Sequence, residues 1–356
     1  MKPSEIKNLI YSSSKEPEKA PPLFVEGSPG LGKSAICKQV ALQRNEELAL
    51  EAKADPKLPE NKGKFYGWLD TRASQHDPTD FRGIPAVIDG AAVWLPPADI
   101  PFENNPNIPE QGLWVLDEVT SSPPLVQAVL YQAVLDHRIG EHKLKKGWYI
   151  VACGNKMEDR AVTYRMSSAL ANRFTHTVMD PDLHDWTEWA KGKVNPNIVM
   201  FLQFKPDLLF AFNPESSEKA FCSPRTWEFA SRHIEVAPVN LLGKVLTGTI
   251  GKGATAEFMA FLKLQTELPN IENIFKGENY VPNRLDLKYA LVGALAARAK
   301  GIKDFERMIK YSEHIDTEFA VLLITMLAQK DETSMVLAPS FEKWAIAHAD
   351  IIRKVS

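Results

Sequence analysis

Apolar positions follow two different rhythms along this chain. In the first half they come as short runs bounded by turn residues: Leu23-Phe24-Val25-Glu26, Phe65 to Leu69, Leu113-Trp114-Val115-Leu116 and Trp148 to Cys153. Such runs predict short strands, and the last two read as strands buried on both faces. Between them lie helical spacings, a short one around Glu5 to Tyr11, a longer one from Lys33 to about Leu50 with Ile36, Val40 and Leu48 on one side, and a third over Pro123 to Leu135. Glu51 to Lys64 is charged and Pro-rich, which predicts an exposed connection. Ala86 to Leu95 and Arg138 to Leu144 read as hairpins, and Pro96 to Gln111 as irregular chain.

Strands alternating with helices predict a parallel sheet covered on both faces. Beyond Pro181 the strand pattern fades. Helical periodicity takes over near Trp186 to Ala190, Thr226 to His233, Ala254 to Leu264, Leu285 to Lys300, Asp316 to Gln329 and Phe341 to Arg353. The expected organisation is therefore an α/β core over residues 1–180 followed by an all-helical domain over 181–356, the latter comprising a lid and a C-terminal helical extension. No repeat or low-complexity tract interrupts it.

Composition excludes several classes. With 44% hydrophobic and 24% charged residues the chain can build packed cores, so collagenous and wholly disordered readings fail. Lys plus Arg number 42 against 45 Asp plus Glu, a net charge of −3 that gives no global attraction to nucleic acid or an acidic membrane. Cys37, Cys153 and Cys222 are too few and too scattered for a disulfide framework or a Cys-x-x-Cys metal site. A reducing, cytoplasmic setting is expected, with no leader at Met1 to Glu5 and no run long enough to cross a bilayer.

The chemistry concentrates at the ends of the apolar runs. Gly27-Ser28-Pro29-Gly30-Leu31-Gly32-Lys33-Ser34 follows a strand and opens a helix, and it fits the phosphate-loop pattern G-x-x-x-x-G-K-[ST]. Its glycines let backbone N–H groups turn inward around phosphates, and the helix N-terminus adds a positive dipole end. Lys33 is expected to reach the β and γ phosphates of ATP, and Ser34 to ligate Mg²⁺. Asp117-Glu118 ends the strand from Leu113; there Asp117 would hold the Mg²⁺ shell and Glu118 would polarise the attacking water. Adjacent strand residues point to opposite sides, so the two acids can divide these roles only where the backbone turns. Asn155 ends the strand from Tyr149, and in a sheet ordered for nucleotide hydrolysis it would sit beside the acid pair and help position the water or the γ-phosphate. Arg173 closes a helical stretch from Ser168, and Arg225 opens a helix in the second half.

The series Gly27 to Ser34, Leu113 to Glu118, Asn155, Arg173 and Arg225 resembles the Walker A, Walker B, sensor 1, arginine finger and sensor 2 order of AAA+ ATPases. Thr79 to Pro85, the hairpin-like insert before Asp117, Asp117 to Gln127, the hairpin near Arg138 to Leu144 and Ala171-Asn172-Arg173-Phe174 are similar to the MoxR branch. The resemblance spans about residues 20–235. It departs from the family pattern at Ser28 and Leu31 in the phosphate loop and at Lys156 after Asn155. It implies a P-loop NTPase fold, Mg²⁺-dependent ATP hydrolysis and a homo-oligomeric, hexameric ring. It also implies a chaperone-like action on a protein client, commonly with a von Willebrand type A partner, and Arg173 acting on the neighbouring subunit, with Arg165 as its rival. A DNA or RNA motor or loader is the less favoured alternative.

Two further patterns carry less. Gly248 to Gly253 follows no strand and predicts a flexible interhelical turn. His137, His142, Lys143, Lys145 and Lys146 form a basic cluster that reads as a solvated hairpin tip, with contact to a threaded partner as the alternative.

Overall fold

The computed structural model describes residues 1–54, 66–159, 164, 166–268 and 270–348. Contacts divide the chain into two units, Met1–Asp180 and Pro181–Ser356.

In the first unit α1 (Pro3–Lys15) precedes β1 (Leu23–Glu26), α2 (Lys33–Ala54) and β2 (Tyr66–Arg72). Then come α3 (Pro78–Arg82), a hairpin of β3 (Ile84–Ile88) and β4 (Ala91–Leu95), β5 (Gln111–Asp117) and α4 (Pro124–Asp136). A small ribbon of β6 (Arg138–Ile139) and β7 (His142–Lys143), β8 (Gly147–Gly154), α5 (Ser168–Ala171) and β9 (Thr175–Val178) complete it. The five long-range strands pair in parallel in the order β2-β5-β8-β1-β9.

Both faces of this sheet are buried, and the alternation along each strand shows how. Phe24, Trp114, Leu116, Ile150 and Ala152 share one cluster with Val126, Leu130 and Ala133 of α4. Their strand neighbours Leu23, Val25, Leu113, Val115, Tyr149 and Val151 are equally buried on the opposite face, the face packed by α1 and α2. That double burial is what makes β1, β5 and β8 read as unbroken apolar runs. Gly112 has a packing role: a Cβ there would sit 2.6 Å from the Trp148 ring, which lies flat across the strand at that point.

The second unit is built mainly of helices: α6 (Leu183–Ala190), α7 (Pro196–Phe204), α8 (Pro224–Val236), α9 (Val239–Ile250), α10 (Lys252–Glu267), α11 (Ile271–Lys276), α12 (Leu285–Arg298), α13 (Gly301–Ser312), α14 (Thr317–Lys330), α15 (Glu332–Val336) and α16 (Phe341–Ala347), with a single antiparallel bridge, Ala211 to Cys222, among its described residues. Its core is aromatic. Phe201 lies 5.7 Å from Trp227 and 5.2 Å from Phe258 between ring centroids, and the Trp227 indole donates to the Leu208 carbonyl at 2.7 Å. Lys330 reaches across to the end of α12, donating to the carbonyls of Ala296, Ala297 and Ala299. A cation so placed satisfies carbonyls that the helix itself leaves open.

Several expectations need correction. The first helix is longer than Glu5 to Tyr11 because Pro3 sits in its first turn, where a missing N–H costs nothing. The second helix continues to Ala54, into the stretch expected to be a connection; residues 55–65, the rest of that stretch and the expected strand start at Phe65, lie outside the described residues. Strand β9 and helices α7, α11, α13 and α15 are additional to the expected elements. Gly248 is helical, and the expected turn narrows to Gly251, whose φ of 87° is a left-handed value. The final helix ends at Ala347 with His348 as its cap, and residues 349–356, which include the expected end at Arg353, lie outside the described residues.

Candidate functional site

Strand β1 is short because Gly27 leaves the ladder after one further hydrogen bond, from its N–H to the Gly154 carbonyl of β8 at 3.2 Å. The chain then turns through Pro29 and Leu31, with Gly30 at φ 84° and Gly32 at φ 95°, values that residues with a Cβ rarely adopt. Helix α2 starts directly afterwards at Lys33, so its open N–H groups face the loop. Lys33 folds back over that loop: Nζ donates to the carbonyls of Gly27 at 2.6 Å and Ser28 at 3.2 Å, and to Asn155 Oδ1 at 3.1 Å. Ser28 in turn donates to Asp159 Oδ1 at 3.2 Å.

The register of the sheet delivers the acids to the same edge. Asp117 is the last residue of β5, and its Oδ2 accepts from Ser34 Oγ at 2.5 Å. Glu118 follows with φ 56°, a left-handed value for a residue with a Cβ. That turn sends the two adjacent carboxylates in different directions: Asp117 toward Ser34, and Glu118 toward Ser74, which donates to Glu118 Oε2 at 2.5 Å. The Glu118 N–H is itself held by Asp117 Oδ1 at 2.9 Å.

Strand β2 contributes more than the sequence disclosed. It pairs with β5 so that Arg72 lies opposite Asp117 and Asp70 opposite Val115. Residues two apart on a strand share a face, which puts Asp70, Arg72 and Asp117 on one side of the sheet. Burial and the Asp117 and Glu118 carboxylates push the Asp70 pKa up, against the opposing pull of Arg72 and Lys38. Ser74 and Asp70 escaped a reading by motif because their meaning lies in a strand register. The only signal was a run of polar residues after an apolar strand.

The structure thus gathers Gly27 to Ser34, Asp117, Glu118 and Asn155 at the carboxyl ends of β1, β5 and β8. Open parallel sheets bind ligands at such an edge, where the strand order reverses around β1. Arg173 lies elsewhere in the unit, past the end of the four-residue α5 rather than inside a helix. Arg165 lies outside the described residues. Arg225 is exposed on the first turn of α8, in the second unit. The basic cluster does not stay together. Lys145 is 3% exposed and bonded to the Ile108 carbonyl and Glu110, His142 meets the Trp94 carbonyl at 3.0 Å, and exposed Lys146 pairs with Glu18. The expected solvated tip is in part a set of structural ties.

Hard cations prefer oxygen donors, and the touching Ser34 hydroxyl and Asp117 carboxylate are such a pair.

No family model matches the chain, and no curated protein matches it. Solved structures similar to it include the RuvB of Thermotoga maritima, at 15% identity over 83% of this chain and 81% of that one, with a TM-score of 0.36. The NtrX of Brucella abortus, solved with ADP, is similar at 12% identity over 98% and 68%, TM-score 0.37. Domain III of the Thermotoga maritima replication initiation protein DnaA is similar at 14% identity over 72% and 90%, TM-score 0.31. At overlaps this low, the reading of the site rests on its own geometry.

Proposed function

We propose that this chain is an ATP hydrolase of the AAA+ type. The observation that carries the reading is the meeting of Lys33, Ser34, Asp117, Glu118 and Asn155 at one sheet edge. They arrive there at the ends of two strands, β5 and β8, and on the N-terminus of α2. In this reading the loop from Gly27 to Gly32 wraps the phosphates with backbone N–H groups. Lys33 exchanges its carbonyl partners for β and γ phosphate oxygens, a charge-assisted contact stronger than the ones it leaves. Ser34 and Asp117 would hold Mg²⁺, which would supply positive charge to stabilise the phosphate oxygens. Glu118, held through Oε2 by Ser74, would accept a hydrogen bond from the attacking water, and Asn155 would align the γ-phosphate. Arg173 would act on a neighbouring subunit's nucleotide, and Arg225 from the lid.

The motif order supports a MoxR-like ring, a hexamer in the usual form of such assemblies. It would remodel a protein client with a von Willebrand type A partner, inside the cytoplasm. Among the described residues no helix is long and apolar enough to cross a membrane.

Lys33→Ala is the direct test. Removing the ammonium should raise the dissociation constant for ATP at least a hundredfold while the melting temperature of the free chain stays within about 4 °C, the shift that ~1 kcal/mol produces. Wild-type affinity in this variant contradicts the reading. Turnover with and without single-stranded DNA separates the client classes: a protein remodeller shows little change. Stimulation that collapses with added salt would mark a nucleic-acid motor instead.

A further inference from the structure

Arg173 is held through its charge and through one of its donors. Its guanidinium carbon lies 3.9 Å from the centroid of the Tyr131 ring, well within cation–π range. Nη1 donates to the Ala169 carbonyl at 2.5 Å, and Nε is buried without a partner. Nη2 makes no hydrogen bond among the described residues, and no carboxylate there pairs with the group. Tyr131 sits half-buried on α4 and packs against the cluster under the sheet, so the platform beneath the arginine is fixed.

The choice of an aromatic ring has a chemical consequence. A carboxylate partner would neutralise the guanidinium and occupy its paired N–H donors. A ring face holds the cation through its quadrupole and takes no donor, so both the charge and Nη2 stay available. An unrestrained arginine would also lose rotamer freedom each time it engaged a phosphate. The stack removes that loss beforehand.

We propose that Tyr131 is the positioning residue for Arg173, pre-aiming its guanidinium at the γ-phosphoryl group bound by a second copy of this chain. This rests on the reading of Arg173 as a finger acting between subunits. The Tyr131 hydroxyl makes no hydrogen bond among the described residues, so the role belongs to the ring.

The test is steady-state ATP turnover of the full chain with Mg²⁺, comparing Tyr131→Phe, Tyr131→Leu and Tyr131→Met, each alone and with Arg173→Ala. Tyr131→Phe should retain more than half of kcat. Leu and Met, which fill the site without a π face, should each lower kcat about tenfold with KM within twofold, the pattern of an interaction made only in the transition state. In the Arg173→Ala background they should lower the residual rate no further, because the ring acts through the arginine. Wild-type kcat in Leu and Met beside an inactive Arg173→Ala overturns the positioning role and leaves the finger standing. A full additional loss in the double variants, or an equal loss in Phe, also overturns it. Normal turnover in Arg173→Ala alone removes the finger reading and the inference with it. If Leu and Met fail to fold, Arg173→Lys carries the test: it keeps the charge but stacks poorly, so a tenfold loss is expected and full turnover contradicts the proposal.

Discussion

The two units bury apolar surface in different ways, and the difference decides where chemistry can sit. In the first, five parallel strands share one direction, and four of them deliver site residues at their carboxyl ends: Gly27 after β1, Asp117 and Glu118 at the end of β5, Asn155 after β8, Ser74 after β2. In the second, helices bury Trp227, Phe258, Phe201 and Tyr311 at their flanks, and their ends point to many places. A parallel sheet converts residues far apart in sequence into one site. A helical bundle converts them into stability.

Variants should therefore separate the two units by what they change. Trp227→Ala should have the largest effect on stability, about 3–5 kcal/mol, because it empties a fully buried aromatic site and orphans the Leu208 carbonyl. Calorimetry checks this, and ATP affinity below the transition should remain near wild type. A loss of affinity with no loss of stability would break the contrast.

Gly112→Ala probes the first unit's packing. The added methyl would meet the Trp148 ring at 2.6 Å, so a cost of about 1–3 kcal/mol is expected in chemical denaturation. A cost below a few tenths would mean that Trp148 moves aside freely.

Ser74→Ala sharpens the site itself and should do least. It deletes the hydrogen bond that holds Glu118 Oε2, worth about 1 kcal/mol, so turnover should fall roughly fivefold with KM unchanged. An unchanged rate would show that Glu118 is held by its left-handed backbone and the Asp117 contact alone.

The same contrast explains what could be read from sequence. Strands β1, β5 and β8 were legible because burial on both faces leaves unbroken apolar runs, and the phosphate loop because its geometry demands glycine at fixed spacing. Strand β9 was not: Thr175, His176 and Val178 are exposed, and only Thr177 faces inward. Helix α7 hid for the opposite reason. Ile198 to Leu202 are all buried, so no polar face marks a helical period. Helix α13 was written in the sequence all the same: Phe305, Met308, Ile309 and Ser312 stand at i, i+3, i+4 and i+7, the spacing of one buried helical face. At the site, Lys33, Ser34, Asp117, Glu118 and Asn155 are motif positions, whereas Ser74, Asp70 and Tyr131 acquire meaning only from register and contact.

The central claim is that Glu118 activates water at a site that otherwise binds ATP without it. The most direct measurement is a paired one on purified Glu118→Gln: ATP affinity by fluorescence titration and phosphate release under saturating ATP and Mg²⁺. The account predicts affinity within about threefold of wild type, and phosphate release at least about a hundredfold slower, the scale on which a positioned acid–base group acts. Wild-type phosphate release from Glu118→Gln would contradict it.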